Sequence, residues 1–146
     1  MRLLLDFGLL GLLVGANAHA EDAPPQRKHE AYTLHLKSSK PGTLEIELET
    51  RGGYHLNDDY PLHFVPKPST DVHWSKARVE RQDGMELWPC RGAEAKHMCS
   101  ARVTVGYKTT KSAGLRLGGT MAFSACDAER CLIEKVALST VVDKLP

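Results

Sequence analysis

Beyond its first twenty residues this 146-residue chain has no long apolar run. Nothing there reads as a membrane span, which needs about 20 consecutive apolar residues. Neither sign of charge is in excess: 19 Lys and Arg stand against 18 Asp and Glu, for a formal net charge of +1. That balance supplies no basic footprint for nucleic acid and no acidic solvating tail. No long stretch repeats its apolar residues at the helical period of 3.6. Internal repeats and low-complexity tracts are missing too. Nor does a Ser–His–acid set, a glycine-rich phosphate loop or a paired-carboxylate motif stand out, so the common catalytic signatures point nowhere.

What is present begins with a leader. "MRLLLDFGLLGLLVGANAHA" places Arg2 before a leucine-rich stretch and ends on Ala18 and Ala20 in the A-x-A arrangement. This is the pattern of a secretory signal peptide over residues 1–20, with cleavage expected after Ala20. No cysteine follows the cleavage point, so no lipid anchor is indicated. Cleavage leaves 126 residues with 18 basic and 17 acidic side chains, still +1 and enough for one domain with its own core. The expected location is periplasmic or secreted, where disulfides persist.

Residues 21–30, "EDAPPQRKHE", are polar with two adjacent prolines and read as a flexible lead-in. Residues 31–146 form the expected domain. "AYTLHLKS" sets Tyr32, Leu34 and Leu36 on one face, and "GTLEIELET" sets Leu44, Ile46 and Leu48 on one face with Glu45, Glu47 and Glu49 on the other. A period of two is that of a half-buried strand. "SSKPG" between them has turn composition, so a hairpin is expected. "SARVTVGYK" alternates cleanly, "DVHWSKARVE" less so. Residues 51–69 read as a long connection with one short strand near Leu62–Val65. "GLRLGGTMAFSAC" and "CLIEKVALSTVV" are two further strands flanking "DAER". Short strands separated by turn signals predict an all-β, antiparallel sandwich.

The four cysteines are Cys90, Cys99, Cys126 and Cys131. Three pairings are open to them. The local pairs Cys90–Cys99 and Cys126–Cys131 are favoured, because each brackets a turn-like segment. A four-residue loop would set Cys126 directly across from Cys131, with Met121, Phe123, Ala125, Leu132, Val136 and Leu138 on the core face and Glu134 intruding on it. Both sulfurs would then lie on the opposite face, at an accessible hairpin tip. In the chain-entropy model this bridge contributes roughly 2.2 kcal/mol, against roughly 2.7 for Cys90–Cys99 and roughly 3.8 for a bridge from Cys90 to Cys126. The weakest staple is thus the one best placed to exchange with a foreign thiolate. Arg130 and Lys135 favour a thiolate there, and Asp127 and Glu129 oppose it. Spacing alone leaves a structural disulfide, a redox pair and a metal site all open. His97 and Met98 beside Cys99 suggest a soft copper site as a weaker option. His55, Asp58 and Asp59 offer either a cation site or ordinary turn chemistry. His63 and His73 read as strand-face residues, and Trp74 and Trp88 as core or cap packing.

"LGGTMAFSACDAERCLIEKVAL" resembles the end of the N-terminal periplasmic domain of the thiol:disulfide interchange protein DsbD family, and "RGGYHLNDDYPLHFVP" resembles that family's glycine–aromatic segment. The resemblance extends in strand pattern over most of residues 30–143. It implies an immunoglobulin-like sandwich whose hairpin-tip dithiol, here Cys126 and Cys131, passes electrons between thioredoxin-like redox proteins. Tyr54 falls on the family's aromatic position near the disulfide. No cofactor or metal is expected. The chain departs from the pattern in having one residue fewer between its cysteines. Its cap-like stretch, residues 80–100, carries Asp83, Glu86 and Trp88 but no phenylalanine, and adds the Cys90–Cys99 pair as an expected structural lock. The family's membrane segments and thioredoxin-like domain have no counterpart here, so electrons would come from a separate partner. The competing expectation is a non-catalytic binding module stapled by two structural disulfides.

Overall fold

The computed structural model describes residues 23–143; the leader, residues 1–20, lies outside them. Eleven strands and two 3₁₀ turns make up the regular structure, with no α-helix among the described residues. The strands are β1 (Gln26–Lys28), β2 (Tyr32–Lys40), β3 (Thr43–Thr50), β4 (His55–Leu56), β5 (His63–Pro66), β6 (His73–Trp74), β7 (Val79–Glu80), β8 (Glu86–Pro89), β9 (Met98–Lys108), β10 (Leu115–Cys126) and β11 (Cys131–Val142). All pairings are antiparallel. No helix among the described residues is long and apolar enough to cross a membrane.

Alternation in the sequence becomes burial in the fold. Tyr32, Leu34 and Leu36 of β2, Leu44, Ile46 and Leu48 of β3, and Ala101, Val103, Val105 and Tyr107 of β9 are all buried in one core. The glutamates between them face outward and join an ion-pair lattice, with Lys37 Nζ 2.8 Å and Arg102 Nη2 3.1 Å from Glu47 Oε1. The β2–β3 hairpin turns through Gly42, whose φ of 69° lies in the left-handed region that glycine adopts without strain.

One hydrogen-bonded path runs β1-β2-β3-β9-β4-β10-β5-β7, with β11 beside β10 and β6 and β8 beside β9. The short β4 accounts for this continuity: its Leu56 pairs with Met98 of β9 and also with Ala125 of β10. The sheet nevertheless folds over its own core. Tyr32 on β2 meets Phe123 on β10 edge-on at 4.9 Å, and its hydroxyl donates to Glu134 Oε2 of β11 at 3.1 Å. The glutamate that intrudes on the apolar face is therefore satisfied from across the core. Burial and that carboxylate push the Tyr32 phenol up to about 12.

The stretch read as a flexible lead-in is partly ordered. Gln26–Lys28 pairs with β2, Leu36 N–H donates to the Pro25 carbonyl, and the Ser139 hydroxyl of β11 donates to the Ala23 carbonyl. Proline lacks an N–H but keeps a carbonyl acceptor, so the segment can tie β2 to β11 despite its composition.

Candidate functional site

The longest hairpin sets the geometry. β10 and β11 pair without a slip from Leu115↔Val142 to Cys126↔Cys131, which is the register expected from a four-residue loop. Asp127 closes that loop. Its N–H donates to the Arg130 carbonyl at 2.9 Å, and its Oδ1 accepts the Glu129 and Arg130 N–H groups, each at 2.8 Å. These two backbone donors hold the Asp127 carboxyl below the usual carboxylate range.

Cys126 and Cys131 form a disulfide, and so do Cys90 and Cys99. The two cysteines of the hairpin pair are not equally exposed. Cys131 is exposed, whereas Cys126 retains 7% of its accessible surface. This corrects the expectation of two accessible sulfurs. β11 has β10 on one side at this point, but β10 has β11 on one side and β4 on the other, and β4 pairs His55 with Cys126. Side chains directly opposed across strands share a face, so Cys126 has a neighbour on both sides, His55 and Cys131, whereas Cys131 has Cys126 alone.

Tyr54 does stand at the hairpin. Its hydroxyl accepts from Arg130 Nε at 3.0 Å, and Arg130 Nη2 reaches Glu30 Oε1 at 3.3 Å. The guanidinium next to Cys131 is thus held in place rather than free to swing. Ile133, two residues beyond Cys131, is 65% exposed and puts an apolar side chain beside the open sulfur.

The second disulfide lies at the same end of the sheet. Cys90 N–H donates to the His97 carbonyl at 2.8 Å, and Cys99 Sγ lies 3.6 Å from the Tyr54 carbonyl oxygen. Between the two bridges the His55 and His97 rings stack at 3.9 Å. Burial, and then the charge of His97, hold His55 below the ordinary histidine range. His55 was read as a turn or cation residue; its place opposite Cys126 was missed, because a two-residue strand is too short to show any period.

Other expectations resolve simply. Asn57 Oδ1 accepts the Asp59 N–H and Asp58 pairs with Arg81, so this stretch uses its polar side chains for a turn and an ion pair. Trp74 packs against Tyr107 and donates to the Lys67 carbonyl. Trp88 is not in the core: it is 40% exposed, with the Arg102 guanidinium 5.1 Å over its ring. All four sulfurs are oxidised, and no group of three or more His, Cys, Asp or Glu among the described residues could hold a metal ion. An open groove of about 680 Å³ runs past Cys90–Cys99, lined by Glu47, Trp88, Arg91 and Arg102 among others, and does not extend to Cys126 or Cys131.

Comparison of the chain with protein-family models, with curated proteins and with solved structures returned no match.

Proposed function

We propose that this protein is an exported thiol:disulfide interchange module, built on an immunoglobulin-like arrangement of the sort found in the N-terminal domain of the DsbD family, that relays electrons through Cys126 and Cys131. The observation that carries the reading is the asymmetric bridge at the hairpin tip, an exposed Cys131 bonded to a buried Cys126. An incoming thiolate from a thioredoxin-like partner attacks Cys131 Sγ, a mixed disulfide forms, and Cys126 leaves as the thiolate. In the reverse direction Cys126 attacks Cys131 Sγ and frees the partner. Exposed Ile133 and the anchored Arg130 supply an apolar spot and a cation beside the open sulfur. Two disulfides suit an oxidising compartment, periplasmic or extracellular, in agreement with the signal-peptide pattern.

Thiol trapping across a series of glutathione or dithiothreitol potentials, read by mass spectrometry, tests this. An exchanging pair titrates above roughly −300 mV, while Cys90–Cys99 remains oxidised. A Cys126–Cys131 bridge that persists well below that potential removes the relay and leaves a β-module with two staples. In the Cys126→Ser variant the open thiol of Cys131 should accumulate a mixed disulfide with the partner.

A further inference from the structure

We infer that His55 is the proton acceptor for Cys126 in the step that resolves the mixed disulfide. The inference rests on the exchange reading above and gives it a residue that the sequence analysis read only as turn or cation chemistry. Cys126 and His55 are direct partners across β10 and β4. Directly opposed residues of neighbouring antiparallel strands project from the same face, with Cβ atoms about 4.5–5.5 Å apart. In the oxidised protein the ring stacks on His97, and at that Cβ separation rotation about its side-chain bonds brings the imidazole within reach of the sulfur, directly or through one water. Cys126 is covered from solvent, so bulk water is a poor recipient for its proton. The Ser124 hydroxyl, also buried and 3.9 Å from Cys126 Sγ, is placed to donate to the thiolate once it forms.

The charge state fits the task. The groups acting on His55 are His97, Glu94 and Lys96 from the segment before β9, Asp58 from the segment after β4, and Cys126 from β10. Desolvation and the His97 charge outweigh the two carboxylates and keep the ring neutral near pH 7. A neutral imidazole accepts a proton; an imidazolium does not.

With glutathione disulfide as oxidant the chemistry balances as follows. The Cys131 thiolate attacks one glutathione sulfur, forms Cys131–S–S–glutathione and expels one glutathione thiolate. His55 takes the proton of the Cys126 thiol. The Cys126 thiolate then attacks Cys131 Sγ, the bond to glutathione breaks, and the second glutathione thiolate leaves. Two electrons pass from the protein dithiol to glutathione disulfide, and the imidazolium returns its proton to solvent.

The test is a quenched-flow measurement on the reduced protein mixed with glutathione disulfide, with the mixed disulfide followed by mass spectrometry from pH 5 to pH 8. In the parent the resolving rate falls as pH drops through the depressed titration of His55. His55→Gln, checked for an unchanged circular dichroism spectrum, should resolve at least about tenfold more slowly at pH 7.5 and lose that limb of the profile. Tenfold lies below the usual 10²–10⁴ of a general base because a thiol also ionises unaided. His97→Gln keeps the base and removes the neighbouring charge, so the limb should move to higher pH. A parent that exchanges while both variants keep its rate and profile overturns the role of His55 alone. A parent that never forms the mixed disulfide overturns the relay itself.

Discussion

Replacing Gly119 by alanine probes the packing that holds the hairpin against the rest of the sheet. A Cβ built there would lie 2.4 Å from Phe64 Cζ and 2.4 Å from the Val65 carbonyl oxygen, with Phe64 Cε2 at 2.8 Å. Ordinary contact needs about 3.5 Å or more. The ring and the β5 backbone must each retreat by about 1 Å. Phe64 is fully buried, and Val65 is held in the ladder that pairs it with Thr120, so neither has free space to move into. Overpacking of this kind costs about 1–3 kcal/mol. The upper part of that range applies, because one of the two obstacles is backbone. Alanine also restricts the unfolded chain, which offsets about 0.4–1 kcal/mol. The net loss is about 2 kcal/mol. With a urea slope of about 2 kcal/mol per molar for a domain this size, the unfolding midpoint should fall by about 1 M. Equilibrium urea denaturation under oxidising conditions measures it. A midpoint within about 0.2 M of the parent would show that β5 yields freely, and the rigid-clamp reasoning fails.

Two further outcomes are expected. Tyr32 is protonated more tightly in the fold than in the unfolded chain, so its contribution to stability is complete below about pH 10 and is lost as pH rises toward about 12. Urea midpoints taken up that range should fall less steeply for Tyr32→Phe than for the parent, and equal slopes would refute the link to Glu134. Asp127→Ala removes the acceptor of two loop N–H groups, so amide exchange at Glu129 and Arg130 should speed up while the β10–β11 ladder is unchanged. In the parent the same speeding should set in only on acidification through the depressed carboxyl titration of Asp127, since the group stabilises the loop above the ordinary aspartate value and loses its hold below it.

Local patterning made the long strands legible. β2, β3, β9, β10 and β11 each carry enough residues to display a period of two, and a four-residue loop leaves the β10–β11 pairing little freedom, so every expected cross-strand pair from Met121↔Val136 to Cys126↔Cys131 is present. The two local disulfides follow from the same shortness of path. Short elements were another matter. β4, β6 and β7 have two residues each, and their pairing depends on which distant strands arrive beside them. Trp88, read as core or cap packing, lies on the short β8 and is found on the surface under Arg102, and within the lead-in read as flexible over 21–30, residues 23–28 are tied to β2 and β11.

By itself, the sequence determined an all-β chain and the hairpin whose ends carry Cys126 and Cys131, and it favoured the two local cysteine pairings, because these depend on neighbours a few residues apart. Tertiary structure alone decided that Cys126 is covered while Cys131 is open, that Tyr54 grips Arg130, and that His55 stands opposite Cys126 with His97 stacked upon it. Those facts arise where strands from distant parts of the chain come to lie edge to edge, and no local period encodes which side chain a remote strand will bring.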